Sequence, residues 1–112
     1  MNKGIMIGNL TRDPESGTTQ NGVSYTHFTI AVKKRFHGDG EPDSDFMRVT
    51  AWRALAENCA KYLSKGKKVA VTGTVGVSCY MGNDNEPHAQ IEITAEDVEF
   101  LSPAGNSGAP AR

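Results

Sequence analysis

The residues with the clearest chemical potential lie between Phe46 and Trp52. In an extended strand successive side chains point to opposite faces, so Phe46, Arg48 and Trp52 share one face of this segment. The other face carries Met47, Val49 and Ala51, which are natural core residues. Two aromatic rings therefore face outward roughly 20 Å apart, at about 3.3 Å per residue, with a guanidinium between them. Exposed rings that alternate with a cation favour a surface that stacks nucleic-acid bases and contacts phosphates.

Two other places could extend such a surface. The run Lys33-Lys34-Arg35 directly precedes Phe36, and Tyr80 ends a later apolar stretch. Plainer interpretations exist, because large aromatic side chains are usually buried and a short charge run is usually a solvated strand end. The presence of a cation between rings on one face favours base stacking over those interpretations.

The charge of the chain is nearly balanced overall but uneven along its length. There are 12 Lys plus Arg against 13 Asp plus Glu, so the net charge of −1 does not by itself indicate a nucleic-acid partner. Between residues 33 and 68 the basic residues are Lys33, Lys34, Arg35, Arg48, Arg53, Lys61, Lys65, Lys67 and Lys68, and the acidic residues are Asp39, Glu41, Asp43, Asp45 and Glu57. Between residues 69 and 101 there is no Lys or Arg, and the acidic residues are Asp84, Glu86, Glu92, Glu96, Asp97 and Glu99. A polyanion is therefore attracted to the middle third and repelled from the last third.

Five strands and one helix are predicted to position these side chains. The strands are predicted at about Gly4 to Gly8, Val23 to Phe36, Phe46 to Trp52, Lys67 to Tyr80 and His88 to Thr94, and the helix at about Ala54 to Ser64. Alternation directs inward Phe28, Ile30 and Val32 of the second strand, Val69, Val71, Gly73, Val75, Val77 and Cys79 of the fourth, and Ala89, Ile91 and Ile93 of the fifth. Gly73 and Gly76 predict that the long fourth strand bends sharply.

This element order predicts an all-β fold. Five strands with one α-helix between strands 3 and 4 is the order of the OB-fold, a Greek-key barrel whose face and loops bind oligonucleotides. Element order alone does not fix the topology, so other small barrels remain alternatives. The length of 112 residues predicts one domain, at residues 1–101, followed by a disordered tail rich in Pro, Gly, Ser and Ala at residues 102–112.

Several classes of protein are disfavoured by composition. Cys59 and Cys79 are far apart in sequence, without a CxxC pair or a His at metal-ligand spacing, which indicates reduced thiols. No stretch approaches the roughly 20 apolar residues of a membrane span, and the first residues do not resemble a signal peptide. These features favour a soluble intracellular protein.

A series of short blocks occurs in a fixed order along the chain. The blocks are Met1-Asn2-Lys3, Ile7-Gly8-Asn9-Leu10-Thr11-Arg12-Asp13-Pro14-Glu15, Asn21-Gly22, Phe28-Thr29-Ile30-Ala31-Val32, Arg48-Val49, Trp52-Arg53, Leu55-Ala56-Glu57-Asn58 and Tyr62-Leu63-Ser64-Lys65-Gly66. Together they resemble the bacterial single-stranded DNA-binding protein family. The similarity extends from Met1 to about Leu101.

The resemblance implies an OB-fold subunit that assembles as a homotetramer and binds single-stranded DNA with little sequence preference. Such proteins protect the strand during replication, recombination and repair, in the cytoplasm and in association with the nucleoid. The DNA-binding residues expected here are the rings of Phe36, Phe46, Trp52 and Tyr80 and the cations Lys33, Lys34, Arg35, Arg48 and Arg53. The family's tail ends in an acidic peptide that recruits replication and repair proteins, so those partners are expected only if such a tail exists beyond Arg112.

Two other functions compete with this one. An OB-fold interaction module would use the same aromatic face for protein contacts. A metal-dependent nuclease would use the acidic loop Asp39, Glu41, Asp43 and Asp45, although this loop lacks the glycine position and the distal Glu of a calcium loop. Because no nucleophile and base pair is recognisable, we expect no catalytic residue. We also expect no metal, no cofactor and no membrane partner.

Overall fold

The structure is a computed structural model that describes residues 1–35, 38–40 and 43–101. In this part of the chain the elements are β1 (Lys3–Leu10), β2 (Glu15–Thr18), β3 (Ser24–Lys33), β4 (Ser44–Trp52), α1 (Arg53–Tyr62), β5 (Lys68–Met81) and β6 (Pro87–Phe100). The five predicted strands correspond to β1, β3, β4, β5 and β6, and the predicted helix corresponds to α1. Phe36 and the tail predicted at residues 102–112 lie outside the described residues.

Five of the strands close into a barrel. The hydrogen-bonded order is β1, β5, β6, β4 and β3, and β3 returns to β1 where Ala31 lies opposite Asn9. Only β4 and β6 pair in parallel among these neighbours. Gly8 permits the closure because a Cβ at this position would collide with the carbonyl oxygen of Ala31. The predicted OB-fold, with its helix between the third and fourth predicted strands, is confirmed.

The interior is filled by the aliphatic side chains that alternate along the strands. Val49 and Ala51 of β4 are fully buried, and Phe28 and Ile30 of β3 are at most 3% exposed. The inward faces predicted for these two strands are confirmed. The hydrophobic effect favours this burial at about 25 cal/mol per Å² of apolar surface, which fixes the register of both strands.

The long strand β5 changes its register with β6 at its first internal glycine. The register between β5 and β6 shifts between Thr72 and Gly73, which is the signature of a β-bulge. A Cβ at Gly73 would collide with the carbonyl oxygen of Thr94, so the close approach of the two strands requires glycine. The sharp bend predicted for β5 stays a prediction: the irregularity at Gly73 arises where β6 supplies the extra residue Glu96, whereas Gly76 pairs in regular register with Glu92.

Beyond the bulge, β5 and β6 leave the barrel as a two-stranded ribbon. Val77 is 66% exposed, Ile91 is 40% exposed, and both Cys79 and Ala89 are also exposed. The prediction that these four side chains point into the core is therefore wrong. Their alternation is regular, but the core ends at Val75 and Ile93, because no further layer of the described chain covers the ribbon.

Helix α1 packs against the barrel through its small side chains. Ala56 and Cys59 are buried, and the hydroxyl group of Thr26 donates a 2.7 Å hydrogen bond to the carbonyl oxygen of Ala56. Burial raises the pKa of the Cys59 thiol to about 11, so this thiol stays protonated at neutral pH. Among the described residues, no helix has the length and apolar character needed to cross a membrane.

The sequence does not indicate β2, because Glu15–Thr18 contains Ser and Gly, which favour turns. This short strand pairs with β3 and places Gly17 opposite Tyr25. A Cβ on Gly17 would lie 2.5 Å from the hydroxyl oxygen of Tyr25, so the phenol ring lies directly over the glycine backbone. The centroid of the same ring is 5.9 Å from that of Trp52. Through Tyr25, β2 therefore supports the side of the Trp52 indole.

We predict that Gly17→Ala changes the environment of Trp52 even without any ligand. The added methyl group displaces the Tyr25 ring, which uncovers the indole. Because the chain contains 1 Trp, its intrinsic fluorescence reports this position alone. The emission of Gly17→Ala should shift to the red, and acrylamide should quench it more strongly than it quenches the unsubstituted protein.

Gly76→Ala is the matched control, since a Cβ at Gly76 meets nothing within 4 Å. Its spectrum should equal that of the unsubstituted protein. Identical spectra for Gly17→Ala and Gly76→Ala would show that Tyr25 does not support the indole.

Candidate nucleic-acid interface

The outer surface of β3 and β4 carries a row of aromatic and cationic side chains, called the aromatic face here. It consists of Tyr25, His27, Phe46, Arg48 and Trp52. Phe46 is 55% exposed and Trp52 is 40% exposed, so both rings lie outside the core as the alternation predicts. Arg48 is also exposed and lies between them on β4. The plainer interpretation, that these large aromatic side chains are buried, is wrong for this chain.

Cross-strand pairing sets the spacing of the aromatic face. Tyr25 of β3 lies opposite Trp52 of β4, and Ala31 lies opposite Phe46 at the other end. The Tyr25 ring is 5.0 Å from the ring of His27 and tilted by 41°. Three rings therefore follow one another at the Trp52 end, whereas Phe46 has no ring beside it among the described residues and lies opposite the small Ala31.

Tyr80 extends the same side of the sheet onto the ribbon. It lies opposite His88, in the row that holds Ser78 and Gln90, and Gln90 in turn donates a 3.3 Å hydrogen bond to the carbonyl oxygen of Phe46. The Tyr80 ring is 52% exposed and stacks on His88 with centroids 5.5 Å apart. His88 is hydrogen-bonded to Asp84 at 3.0 Å, and this bond lowers the pKa of the Asp84 carboxyl group.

The predicted cations are distributed around the ends of the two strands. Lys33 forms a 3.5 Å ion pair with Asp43, and Lys34 forms a 3.7 Å ion pair with Asp45. Surface ion pairs of this kind contribute about 0–1 kcal/mol, so a phosphate can displace the carboxylates at little cost. Two carboxylates of the predicted acidic loop, those of Asp43 and Asp45, are thus ion-paired with lysines. Among the described residues, no cluster of three or more potential metal ligands occurs.

Arg53 and Arg35 lie at opposite borders of the aromatic face. Arg53 is exposed, directly follows Trp52 and begins α1 with a φ of 61°, in the left-handed region that is unfavourable for a residue with a Cβ. This turn is what lets the chain leave β4 sharply after Trp52. Arg35 is exposed just before Phe36, the one predicted ring that lies outside the described residues.

A cavity of about 410 Å³ opens between the aromatic face and the connection from β1 to β2. Phe46, Arg48 and His27 line one side, and Arg12 and Asp13 line the other. Sequence reasoning does not find this cavity, because residues 11–14 indicate only a turn and His27 looks like an isolated histidine. Alternation along β3 could have placed His27 beside the rings, whereas the contribution of Arg12 depends on how the connection folds back.

His27 is the group in this cavity whose charge is adjustable near neutral pH. Burial lowers the pKa of His27, the Arg48 guanidinium lowers it further, and the carboxylates of Glu15 and Glu92 oppose both effects. The Nδ1 atom of the ring lies 3.0 Å from the hydroxyl oxygen of Thr50. In the unliganded protein the imidazole is therefore held largely neutral at pH 7.

Comparisons with known proteins point to one family. The profile described as "Single-strand binding protein family" matches residues 1–101. A protein of Halalkalibacterium halodurans named single-stranded DNA-binding protein is 40% identical over 107 residues, which are 95% of this chain and 64% of that protein. The single-stranded DNA-binding protein 3 of Listeria innocua is 42% identical over 107 residues, which are 95% of this chain and 67% of that protein. The chain thus spans about two thirds of the length of such relatives.

A solved structure gives the same result for the fold. The crystal structure of a deletion mutant of the single-stranded DNA binding protein from Thermus aquaticus matches with a TM-score of 0.69 and 30% identity. The match covers 90% of this chain and 41% of that one. With the family profile spanning the whole barrel, the chain belongs to the single-strand binding protein family.

Proposed function

We propose that this protein binds single-stranded DNA through the aromatic face, with little sequence preference, and does no chemistry on it. The observation that carries this proposal is the exposure of Phe46 and Trp52 on either side of Arg48, on a strand whose other face carries the fully buried Val49 and Ala51. Stacking of a base on such a ring contributes about 1–3 kcal/mol as judged by alanine substitution. The names of the relatives, all single-stranded DNA-binding proteins, support the same substrate.

Preference for unpaired strands follows from the kind of contact. Every base has a flat π-face, which a ring can cover when the strand is single and cannot reach when the bases are stacked in a duplex. Recognition of base edges in a groove requires a protruding helix or ribbon that carries side chains such as Asn, Gln and Arg. The aromatic face instead presents flat rings. Sequence preference is therefore weak.

The proposed contacts fall into two groups. The stacking rings are Phe36, Phe46, Trp52 and Tyr80, and the cations that follow the phosphates are Lys33, Lys34, Arg35, Arg48 and Arg53. Phosphate contacts release counterions, so this part of the binding weakens with salt, with a slope of about −0.7 in log K against log salt for each neutralised phosphate. The stacking part is much less sensitive to salt.

The proposed cellular role follows the family. By covering single strands the protein protects them during replication, recombination and repair, in the cytoplasm and next to the nucleoid. DNA binding is assigned to residues 1–101, and residues 102–112 lie outside the described residues. Partner proteins of replication and repair bind only if an acidic tail exists beyond Arg112.

Assembly as a homotetramer is part of the proposal, and the first strand supports it. Ile5 is 71% exposed and Ile7 is 49% exposed on the outer side of β1. One edge of β1 pairs with β5 from Lys3 to Asn9, and within the described part of the chain the other edge pairs with β3 only at Asn9 and Leu10. An open edge beside exposed isoleucines is suited to pairing with a second chain.

We predict that Trp52→Ala and Arg48→Ala weaken binding in different ways. Trp52→Ala removes a stacking ring, so affinity for oligo(dT) should fall about tenfold or more while the salt slope stays nearly unchanged. Arg48→Ala should weaken binding and also make the slope shallower by about 0.7. Titrations by fluorescence anisotropy of a labelled oligo(dT) at several salt concentrations measure both quantities.

Tyr62→Ala is the matched control, because Tyr62 is a similarly exposed ring on α1, outside the aromatic face. It should bind like the unsubstituted protein. Equal changes of salt slope for Trp52→Ala and Arg48→Ala, or an equal loss for Tyr62→Ala, would contradict the division of contacts proposed above.

We predict that light scattering of the protein alone gives the mass of four 12.0 kDa chains. Ile5→Lys places a charge on the open side of β1 and should give a smaller species with an unchanged circular dichroism spectrum. Thr18→Lys, on the exposed strand β2, is the control and should leave the mass unchanged. A monomeric mass for the unsubstituted protein at micromolar concentration would refute the tetramer.

A further inference from the structure

We propose that the cavity between the β1–β2 connection and the aromatic face is a subsite for one nucleotide. In this subsite the base lies against Phe46, and the phosphate lies among Arg12, His27 and Arg48. The inference rests on the proposed function and goes beyond it by adding Arg12 and His27 as DNA-contacting residues. It also gives DNA binding a dependence on pH.

The volume and shape of the cavity fit a nucleotide. The space of about 410 Å³ lies within the range of about 300–1,000 Å³ that is typical of ligand sites. Its lining combines a half-exposed ring with polar and charged groups from the β1–β2 connection and from three strands, β2, β3 and β4. A stacking ring next to cations is the combination that one unpaired nucleotide requires.

The wall opposite the aromatic face is held in place by hydrogen bonds. The backbone N–H of Thr11 donates a 3.0 Å hydrogen bond to the carbonyl oxygen of Thr29, and Asp13 accepts a 2.9 Å hydrogen bond from the backbone N–H of Lys65. Arg12 lies between these two attachments. The connection is therefore ordered before any ligand binds, which reduces the entropy lost on binding.

The charges of the cavity are balanced when His27 is neutral. The lining contains two guanidinium groups, of Arg12 and Arg48, and two carboxylates, of Asp13 and Glu15. Glu15 of β2 lies directly opposite His27 in the sheet, so its negative charge acts on the same place where a phosphate would bind. Protonation of His27 offsets Glu15 and changes the sum of the lining charges from zero to positive.

The hydrogen bonding of His27 leaves one nitrogen for a ligand. Nδ1 lies 3.0 Å from the hydroxyl group of Thr50, so Nε2 is the nitrogen available to donate to a phosphate oxygen when the ring is protonated. Charged and titratable groups face this ring from every neighbouring element. They are Tyr25 on β3, Glu15 on β2, Arg48 on β4, Glu92 on β6, and Arg12 and Asp13 on the β1–β2 connection.

The direction of the pH dependence follows from these neighbours. In the free protein burial and Arg48 hold the pKa of His27 below its ordinary value of 6.5. A phosphate in the subsite brings a negative charge and raises the pKa of His27, so the protein takes up a proton when it binds DNA. By linkage, DNA affinity must increase as the pH falls toward the range in which His27 titrates.

The effect of His27 on folding has the opposite sign, which provides an internal check. Since the folded protein holds the pKa of His27 below its unfolded value, the unfolded chain binds more protons at acidic pH. The contribution of His27 to the stability of the free protein is thus lost as the pH falls below 6.5. If acidic pH only destabilised the fold, DNA binding would weaken as the pH falls. Protonation of His27 in the subsite instead strengthens DNA binding as the pH falls.

The test is a titration of labelled oligo(dT) at fixed ionic strength between about pH 8 and about pH 5.5, the interval in which histidines titrate. The affinity of the unsubstituted protein should rise several-fold, up to about tenfold, as the pH falls. His27→Gln removes the group that takes up the proton, so this variant should lose most of the rise between about pH 8 and about pH 5.5. Arg12→Gln should bind more weakly at every pH, with a salt slope shallower by about 0.7.

His88→Gln and His37→Gln are the controls for the other two histidines of the chain, and both should keep the pH dependence. Circular dichroism at each pH establishes that every variant is folded. A flat pH profile for the unsubstituted protein, an unchanged profile for His27→Gln, or an unchanged salt slope for Arg12→Gln would overturn the subsite while leaving single-strand binding intact. Failure of the unsubstituted protein to bind oligo(dT) at any pH would instead overturn the proposed function.

Discussion

The structure depends on the alternation of side chains along β4 within a barrel whose interior is already full. Val49 and Ala51 are fully buried against the other strands, so the neighbouring positions have to face outward. A slip of one residue in the register would drive Phe46 and Trp52 into that interior and expose the aliphatic residues. The packing of the core therefore also determines the exposure of the rings. No additional interaction is needed to keep the aromatic face exposed.

The barrel and its aromatic face could be predicted from sequence because both follow from local periodicity. The inward sides of β3 and β4 are read from a few adjacent residues. Val77 and Ile91 were mispredicted for the same reason, since alternation gives the direction of a side chain and not whether another layer exists to cover it. The strand β2 is not predicted from the sequence, because its Gly17 is typical of a turn. In the structure this glycine is needed to accommodate the Tyr25 ring.

The candidate site was predictable only in part. The rings on β4 and Tyr80 follow from strand patterns, and the cations from the uneven distribution of charge along the chain. The cavity beside Phe46 requires knowledge of where residues 11–14 fold, which depends on hydrogen bonds to Thr29 and Lys65 that are distant in sequence. Contacts between residues far apart in the chain leave no periodic signal in a single sequence.

Charge is organised locally so that a nearly neutral protein can hold a polyanion. On one side of β4, the lysines that end β3 are paired with the weakly held carboxylates of Asp43 and Asp45. On the other side, Arg48 lies opposite Glu92 of β6, the strand that carries most of the acidic residues of the last third. A bound strand is therefore expected to follow β3 and β4, to reach Tyr80 on the ribbon, and to avoid the exposed carboxylates of β6.

Quenching of the intrinsic fluorescence of Trp52 by nucleic acid tests the central claim most directly. Oligo(dT) should quench the emission in a saturable manner, because a base covers the indole, and a blunt-ended duplex of the same length should leave the emission almost unchanged. Equal quenching by the duplex, or tight binding of oligo(dT) without any change in Trp52 emission, would contradict the account, because the strand would then be bound by some surface other than the rings of β4.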